Sequence, residues 1–387
     1  MRIVHGYLRR NKMDFQLNDT QELIQKTFRD FSDKEVKPQA ETIDINKEFP
    51  MELFKKVGNL GFFGMRYPRN AGGTELDVVS YCLAVIELAK GSLSLAAACT
   101  MQSLMSTFFL YKFGDDEVKG YFKQALKGEK IGGICMTEPD AGSDLFGIRT
   151  KAKVLDNHFL LSGQKTWVTS APVADFFTVF AKTDNHEKLS VFFLPTHLDG
   201  VHIGKSIEKL GVRGSVTSEV AFDEVKLPKN YLLGEIGGGT ESMKEILAEI
   251  RIMTGALAIG VAEAAFEEAV EYAKTRKQFG RPIGKFQAVR LKMADMAVQL
   301  ETARHYVFYA ASLSDQNLPR QKESMIAKLY ASECANDICD KASRIFASYG
   351  YAMEYPMQRY LRDARFTLIG GGTSEILGIN IGKELGL

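Results

Sequence analysis

The spacing of apolar residues changes twice along this chain, and that double change limits the folds open to it. Up to about residue 130 apolar residues recur every three or four positions, as in TQELIQKTFRDFSDKEV. That is the spacing of an amphipathic helix. Asn18 or Asp19 is placed to cap it, with Glu22 in the first turn. YPRNAGGTELD interrupts the pattern with Pro68, Gly72 and Gly73 and reads as a loop. SYCLAVIELAKGSLSLAAACTMQSLMSTFFLYKFG then reads as two buried helices split near Gly91. From about 131 to 235 the chain turns to short Val-, Phe- and Thr-rich runs such as FFTVFAKTD and LSVFFLPT. SGQ, LDG and VRGS punctuate them, the spacing of strands in a barrel or sandwich. From about 240 long 3.6-residue periodicity returns. The expected class is therefore α+β. A short extension (1–13) leads into an all-helical N-terminal domain (14–130). A middle antiparallel β-barrel or sandwich (131–238) and a C-terminal four-helix bundle (239–387) follow.

Charge balance narrows the function. The 49 basic and 48 acidic residues leave a net charge of +1. No broad basic surface for nucleic acid or an anionic membrane is expected. Cys82, Cys99, Cys135, Cys334 and Cys339 are odd in number and not closely paired, so they read as buried, reduced thiols of a cytoplasmic protein. No apolar run is expected to approach the roughly 20 residues of a membrane helix. MRIVHGYLRRNK lacks the apolar core of a signal peptide and reads as a mobile extension. His158, His186, His197 and His202 fall in the β region and His305 on a helix; structural roles are expected of them.

Four stretches carry chemical signal. ICMTEPDAGSDLFGIRTKA (134–152) gathers Thr137, Gly142 and Ser143 in one loop at the entrance of the β region. LSGQKTWVTSA (161–171) sets the one tryptophan, Trp167, between Thr166 and Thr169, where an indole face can cover a flat ring. RKQFGRPIGKFQAVRLKMADM (276–296) joins two helices through Arg276, Phe279, Arg281 and Gln287. LIGGGTSEIL (368–377) runs three glycines into Thr373, Ser374 and Glu375. Glycine lets a backbone approach a phosphate, and free N–H groups at a helix start favour an anion.

In this order and spacing the four stretches resemble the acyl-CoA dehydrogenase superfamily of flavoproteins. GFFGMRYPRNAGG (61–73), KLGVRGSVTSEVAFDEVKLP (209–228) and YLRDARF (360–366) extend the resemblance over the chain from about residue 14. The resemblance implies an FAD-dependent enzyme that dehydrogenates an acyl thioester at Cα–Cβ and passes electrons to an electron-transfer flavoprotein. It implies that Thr137 bonds the flavin ring, with Gly142 in the same loop, that Trp167 lies by the dimethylbenzene edge, and that Thr169 lies near N5. Ser143 matches a position near the pyrophosphate and the substrate. Arg276, Phe279 and Gln287 match residues that reach the FAD of a neighbouring subunit, so a homo-oligomer, dimer or tetramer, is implied. Thr373 and Glu375 match FAD-holding positions.

Several positions depart from the family pattern. Many members carry the base that removes the α-proton as a glutamate two residues before the loop threonine; here that position is Gly371. Others carry it on a long helix directly before an arginine. The matching arginine is Arg251, expected on the substrate side, and the residue before it is Ile250. Glu249, one residue further back, is the remaining candidate base. It reaches the pocket only if the helix is rotated, since one residue is about 100° of turn. RIFASYG (344–350) replaces the family's glutamine and paired glycines with Arg344, Ala347 and Ser348; Arg344 can still pair with a pyrophosphate. Ala248 stands where some members place an acid near the pantetheine, so acyl-CoA and acyl-carrier-protein substrates both remain open. Met101, Gln102, Met105 and Phe109 are candidates to set acyl-pocket depth. Two alternatives stand beside dehydrogenation: oxidase, monooxygenase or desulfinase-type chemistry without the glutamate, and a non-catalytic paralogue.

Overall fold

The computed structural model describes residues 16–183 and 188–387. The expected extension 1–13 and His186 lie outside the described residues. Helix α1 (Asp19–Phe31) begins at Asn18. The Asn18 side chain accepts from Gln21 N at 3.0 Å, and Gln21 Oε1 accepts from Asn18 N at 3.1 Å. Of the two expected caps it is therefore Asn18, closing a reciprocal capping box. Helices α2 (Ala40–Asn46), α3 (Met51–Asn59), α4 (Val78–Gly91), α5 (Leu93–Thr100), α6 (Phe108–Phe113) and α7 (Asp116–Leu126) complete the first domain. The break after α4 falls at Gly91 as expected, because a Cβ there would lie 2.4 Å from Ser32 Oγ and 2.9 Å from Val36 Cγ1.

The segment Leu93–Phe113 corrects the expectation about apolar runs. Its 21 residues are long and apolar enough to cross a membrane by length and composition, yet 83% of its apolar window is buried inside the protein. A π-helical turn at Met101–Ser106 interrupts it. Gln102 is fully buried there and bonds the carbonyls of Ala125 and Lys130 and the amide of Gly132. That one side chain ties the first domain to the first strand.

The middle domain is one seven-stranded sheet: β1 (Gly132–Cys135), β2 (Lys151–Val154), β3 (His158–Thr169), β4 (Phe176–Thr183), β5 (Leu189–Pro195), β6 (Val201–Ser206) and β7 (Thr217–Pro228). Its order is β1-β4-β2-β3-β7-β6, with β5 on β4. The sheet is mixed rather than antiparallel throughout, because β4 pairs parallel with both β1 and β2. The cause is the connection. A long excursion through the 137–150 loop and the β2–β3 hairpin brings the chain back in its starting direction, which a tight hairpin cannot do.

The C-terminal domain is the expected bundle: α8 (Gly239–Thr275), α9 (Gln287–Asp315), α10 (Gln321–Phe346) and α11 (Met357–Ile369), followed by α12 (Ser374–Glu384). A two-residue hairpin, β8 (Lys277–Gln278) and β9 (Arg281–Pro282), links α8 to α9. Three regions lock together at α11. Arg362 grips Asp44 of α2 through contacts of 3.0 and 2.5 Å, and Asp363 accepts from Val212 N at 2.6 Å. The five cysteines are free and buried.

Candidate functional site

Thr137, Gly142 and Ser143 sit on the loop between β1 and β2, and Trp167 and Thr169 near the end of β3. A buried ion pair holds loop and strand together. Lys165 is fully buried and donates to Glu138 Oε1 at 2.8 Å and to Met136 O at 3.0 Å. The Glu138 carboxylate also accepts from Arg149 N at 2.6 Å and Thr150 N at 3.0 Å, closing the loop on itself. Burial pushes the Glu138 carboxyl up, but Lys165 and these amides outweigh it and hold it below the usual range. Neither Lys165 nor Glu138 was foreseen as a site residue; the one signal is a lysine inside a β-run.

That frame explains the tryptophan. The β3–β7 register shifts between Lys165 and Val168. Trp167 there takes a left-handed φ of 58°, which a bulky side chain rarely adopts. The indole is 57% exposed. Trp167, Thr137 and Gly142 line a cleft of about 600 Å³ with Thr166, Ile207 and Glu219. A strained, exposed indole beside hydroxyls and a glycine loop fits a flat ring with polar edges. These residues therefore fit the flavin.

The glycine loop runs between α11 and α12. Thr373 caps α12, accepting from Ile376 N at 3.3 Å. Glu375 is in its first turn. The amides of Gly371 and Gly372 make no hydrogen bond among the described residues. Lys328 of α10 is fully buried beneath the loop and donates to Gly372 O at 2.7 Å and Leu368 O at 3.1 Å. Burial pulls its pKa down to about 8.

Gly371 has φ +74°, and a Cβ there would lie 3.2 Å from Thr254 Oγ1 and 3.7 Å from Ile250 Cγ2. The two empty base positions thus face each other. Arg251 precedes Thr254 by three residues and shares that side of α8. Its Nε is buried without a partner, and no acid pairs with it among the described residues. Burial alone pulls its pKa below the ordinary arginine value.

Glu249 faces another way. Its carboxylate takes Arg66 Nη1 at 2.6 Å, Arg320 Nε at 3.0 Å and Nη2 at 2.9 Å, and the Ser314 hydroxyl. Burial pushes this carboxyl up, but Arg66, Ser314 and Arg320 outweigh it and hold it below the usual carboxylate range. A carboxylate with its oxygens occupied by two arginines is a poor proton acceptor. The geometry therefore argues against Glu249 as the base. The α8 helix runs unbroken through this point, and Ile250 holds the position next to Gly371. Arg66 and Arg320 were missed because their partner is distant in sequence.

The remaining residues lie around the β8–β9 hairpin and α10. Phe279, at its tip, has φ +51° and is 91% exposed. Arg276 stacks over Tyr349 at 5.6 Å, and Gln287 opens α9. Arg344 pairs with Asp340 one turn away at 2.7 Å, and Ala347 beyond it adopts φ +53°.

An exposed indole over a polar cleft and a glycine loop with free amides fit a flavin-dependent oxidoreductase built from helical, β and helical domains. Residues 18–129, 133–225 and 237–386 match the N-terminal, middle and C-terminal domains of acyl-CoA dehydrogenase. The chain belongs to the acyl-CoA dehydrogenase family. It is 55% identical to benzylmalonyl-CoA dehydrogenase of Aromatoleum aromaticum over 96% of this chain and 100% of that one. It is 37% identical to the caffeyl-CoA reductase–Etf complex subunit CarC of Acetobacterium woodii, over 93% and 96% of the two chains. A solved FAD complex of PigA superposes with a TM-score of 0.93 at 29% identity, over 97% and 100%. The reaction class is acyl thioester dehydrogenation, and the cofactor is FAD.

Proposed function

We propose that this enzyme oxidises a CoA thioester with an aryl group on its β-carbon. The observation that carries the flavin half of this reading is Trp167, exposed and strained beside Thr137. The substrate half is supported by two relatives, whose names specify a benzylmalonyl and a caffeyl thioester. Thr137 and Thr169 would hold the polar edge of the isoalloxazine, Trp167 would cover its apolar end, and Gly142 and Ser143 would leave room for the pyrophosphate. When bound, FAD supplies the two-electron acceptor for the hydrogen that leaves the β-carbon. The unpaired amides of Gly371 and Gly372 are the donors available to a thioester carbonyl, stabilising negative charge as it develops on that oxygen. Lys328 holds the loop that presents them.

Electrons leave to an electron-transfer flavoprotein, a reading supported by the Etf complex named for one relative. Arg276, Phe279 and Gln287 complete the FAD site of a second subunit in a dimer or tetramer. An aromatic ring left 91% exposed on a short hairpin supports this assignment. Buried thiols suit a reducing, cytoplasmic setting. The test is anaerobic titration of the FAD-loaded protein with straight-chain, branched and aryl-substituted CoA thioesters. Bleaching by an aryl thioester supports the reading; bleaching by butyryl-CoA alone rejects the aryl substrate.

A further inference from the structure

We propose that the substrate carries a carboxylate on its α-carbon, that Arg251 holds this carboxylate, and that its loss as CO2 replaces proton abstraction. This rests on the dehydrogenase reading above.

Four observations converge where α8 meets the glycine loop. Gly371 and Ile250 fill the two places from which a base would act, and a Cβ at 371 would lie 3.7 Å from Ile250 Cγ2. Glu249, the acid next to Ile250 in sequence, is turned away into its arginine clamp. Arg251, on the same side as Thr254, buries its Nε without a partner. Beneath the loop, Lys328 hydrogen-bonds backbone carbonyls and no carboxylate among the described residues. Arg251 is half-buried, but its Nε is shut off from water without a partner, and a buried donor left unpaired is costly unless a ligand completes it. Among the described residues no carboxylate contacts the space between Gly371 and Ile250, and the Arg251 Nε is left unpaired.

A substrate carboxylate answers both features. A glutamate at 371 or 250 would repel it at close range; glycine and isoleucine do not. The guanidinium fork matches a carboxylate. The apolar Ile250 beside it keeps the seat dry, which favours loss of charge as CO2. The bond between Cα and the carboxylate breaks, and its electron pair stays on Cα as the thioester enolate. That pair closes the Cα=Cβ bond as hydrogen leaves Cβ with two electrons to FAD, the oxidant. One carboxy-acyl thioester gives one enoyl thioester, one CO2 and one two-electron reduction. The protein takes no proton from carbon.

The test compares 2-carboxy-3-phenylpropanoyl-CoA with 3-phenylpropanoyl-CoA on the FAD-loaded enzyme without oxygen. The proposal expects the first to bleach the flavin with one CO2 per flavin and the second to leave it yellow. Comparable bleaching by the second overturns the proposal and leaves the dehydrogenase reading standing. Failure of both overturns the two together. Binding is read separately with malonyl-CoA, which has an α-carboxylate but no β-carbon to oxidise, against acetyl-CoA. Calorimetry should show malonyl-CoA preferred by roughly ten- to a hundredfold. Arg251→Met should abolish that preference without weakening acetyl-CoA, and Arg251→Lys should restore part of it. A preference that survives in Arg251→Met, or that is absent from the wild type, overturns the role of Arg251.

Discussion

Glu249 and Ile250 are neighbours on α8 that look in different directions, and the chemistry of the site turns on that 100°. Because Glu249 is buried between Arg66 and Arg320, Glu249→Gln should act on folding before it acts on catalysis. Leaving two arginines short of a partner costs about 3–5 kcal/mol, read as a fall in thermal midpoint. Flavin reduction per folded molecule should stay within a fewfold of wild type; a loss of orders of magnitude would restore Glu249 as the base. The pH dependence has a defined sign. The folded-state pKa of Glu249 lies below that of an unfolded glutamate, so the folded protein binds fewer protons. Its stabilisation is fully present above about pH 4.3 and is lost as pH falls through the folded value. The gap in thermal midpoint between wild type and Glu249→Gln should therefore narrow below about pH 4. Ile250→Glu is the complementary change. It places a carboxylate in the inward position and should give the enzyme activity on 3-phenylpropanoyl-CoA, measured as anaerobic bleaching.

At the scale of elements, two buried lysines hold the two halves of the site. Lys165 pins β3 to the 137–150 loop, and Lys328 pins α10 to the glycine loop. Glu138→Gln should strand the Lys165 charge and turn one acceptor of the loop amides into a donor. The expected result is at least a tenfold weaker hold on FAD by fluorescence titration. The double change Glu138→Gln with Lys165→Met should recover stability, since it removes both charges. Lys328 leaves a pH signature of the opposite kind to Glu249. It releases its proton near pH 8 when folded, whereas an unfolded lysine keeps it to about 10.4. The unfolded state then binds more protons, so this group's penalty is relieved as pH rises from about 8 to 10.4. Against Lys328→Met, wild type should gain relative stability across that window in urea unfolding.

For the whole molecule, α8 is the common member: it packs on α4 of the first domain and on α9 and α10 of the bundle. The assembly extends this logic beyond one chain. Arg276→Ala should lower retained FAD and weaken the oligomer together, measured by flavin content and light scattering on the same sample. Normal retention in a normal oligomer would reject the contact between subunits.

The sequence alone determined the three-part layout, because a switch between 3.6- and two-residue periodicity marks which elements can form. It also placed the chemistry-bearing loops, since glycine, threonine and tryptophan in fixed order need no knowledge of packing. Tertiary structure decided what depends on direction. β4 runs parallel to β1 and β2 because a long connection returns the chain, which no local pattern records. Trp167 is offered to a ligand because the β3–β7 register shifts, although as a lone strand residue it reads equally well as core. Whether Glu249 or Ile250 faces Gly371 depends on how a 37-residue helix is rotated by its neighbours. Arg251 becomes a site because no acid from any other part of the described chain comes to meet it, and only three-dimensional packing determines that.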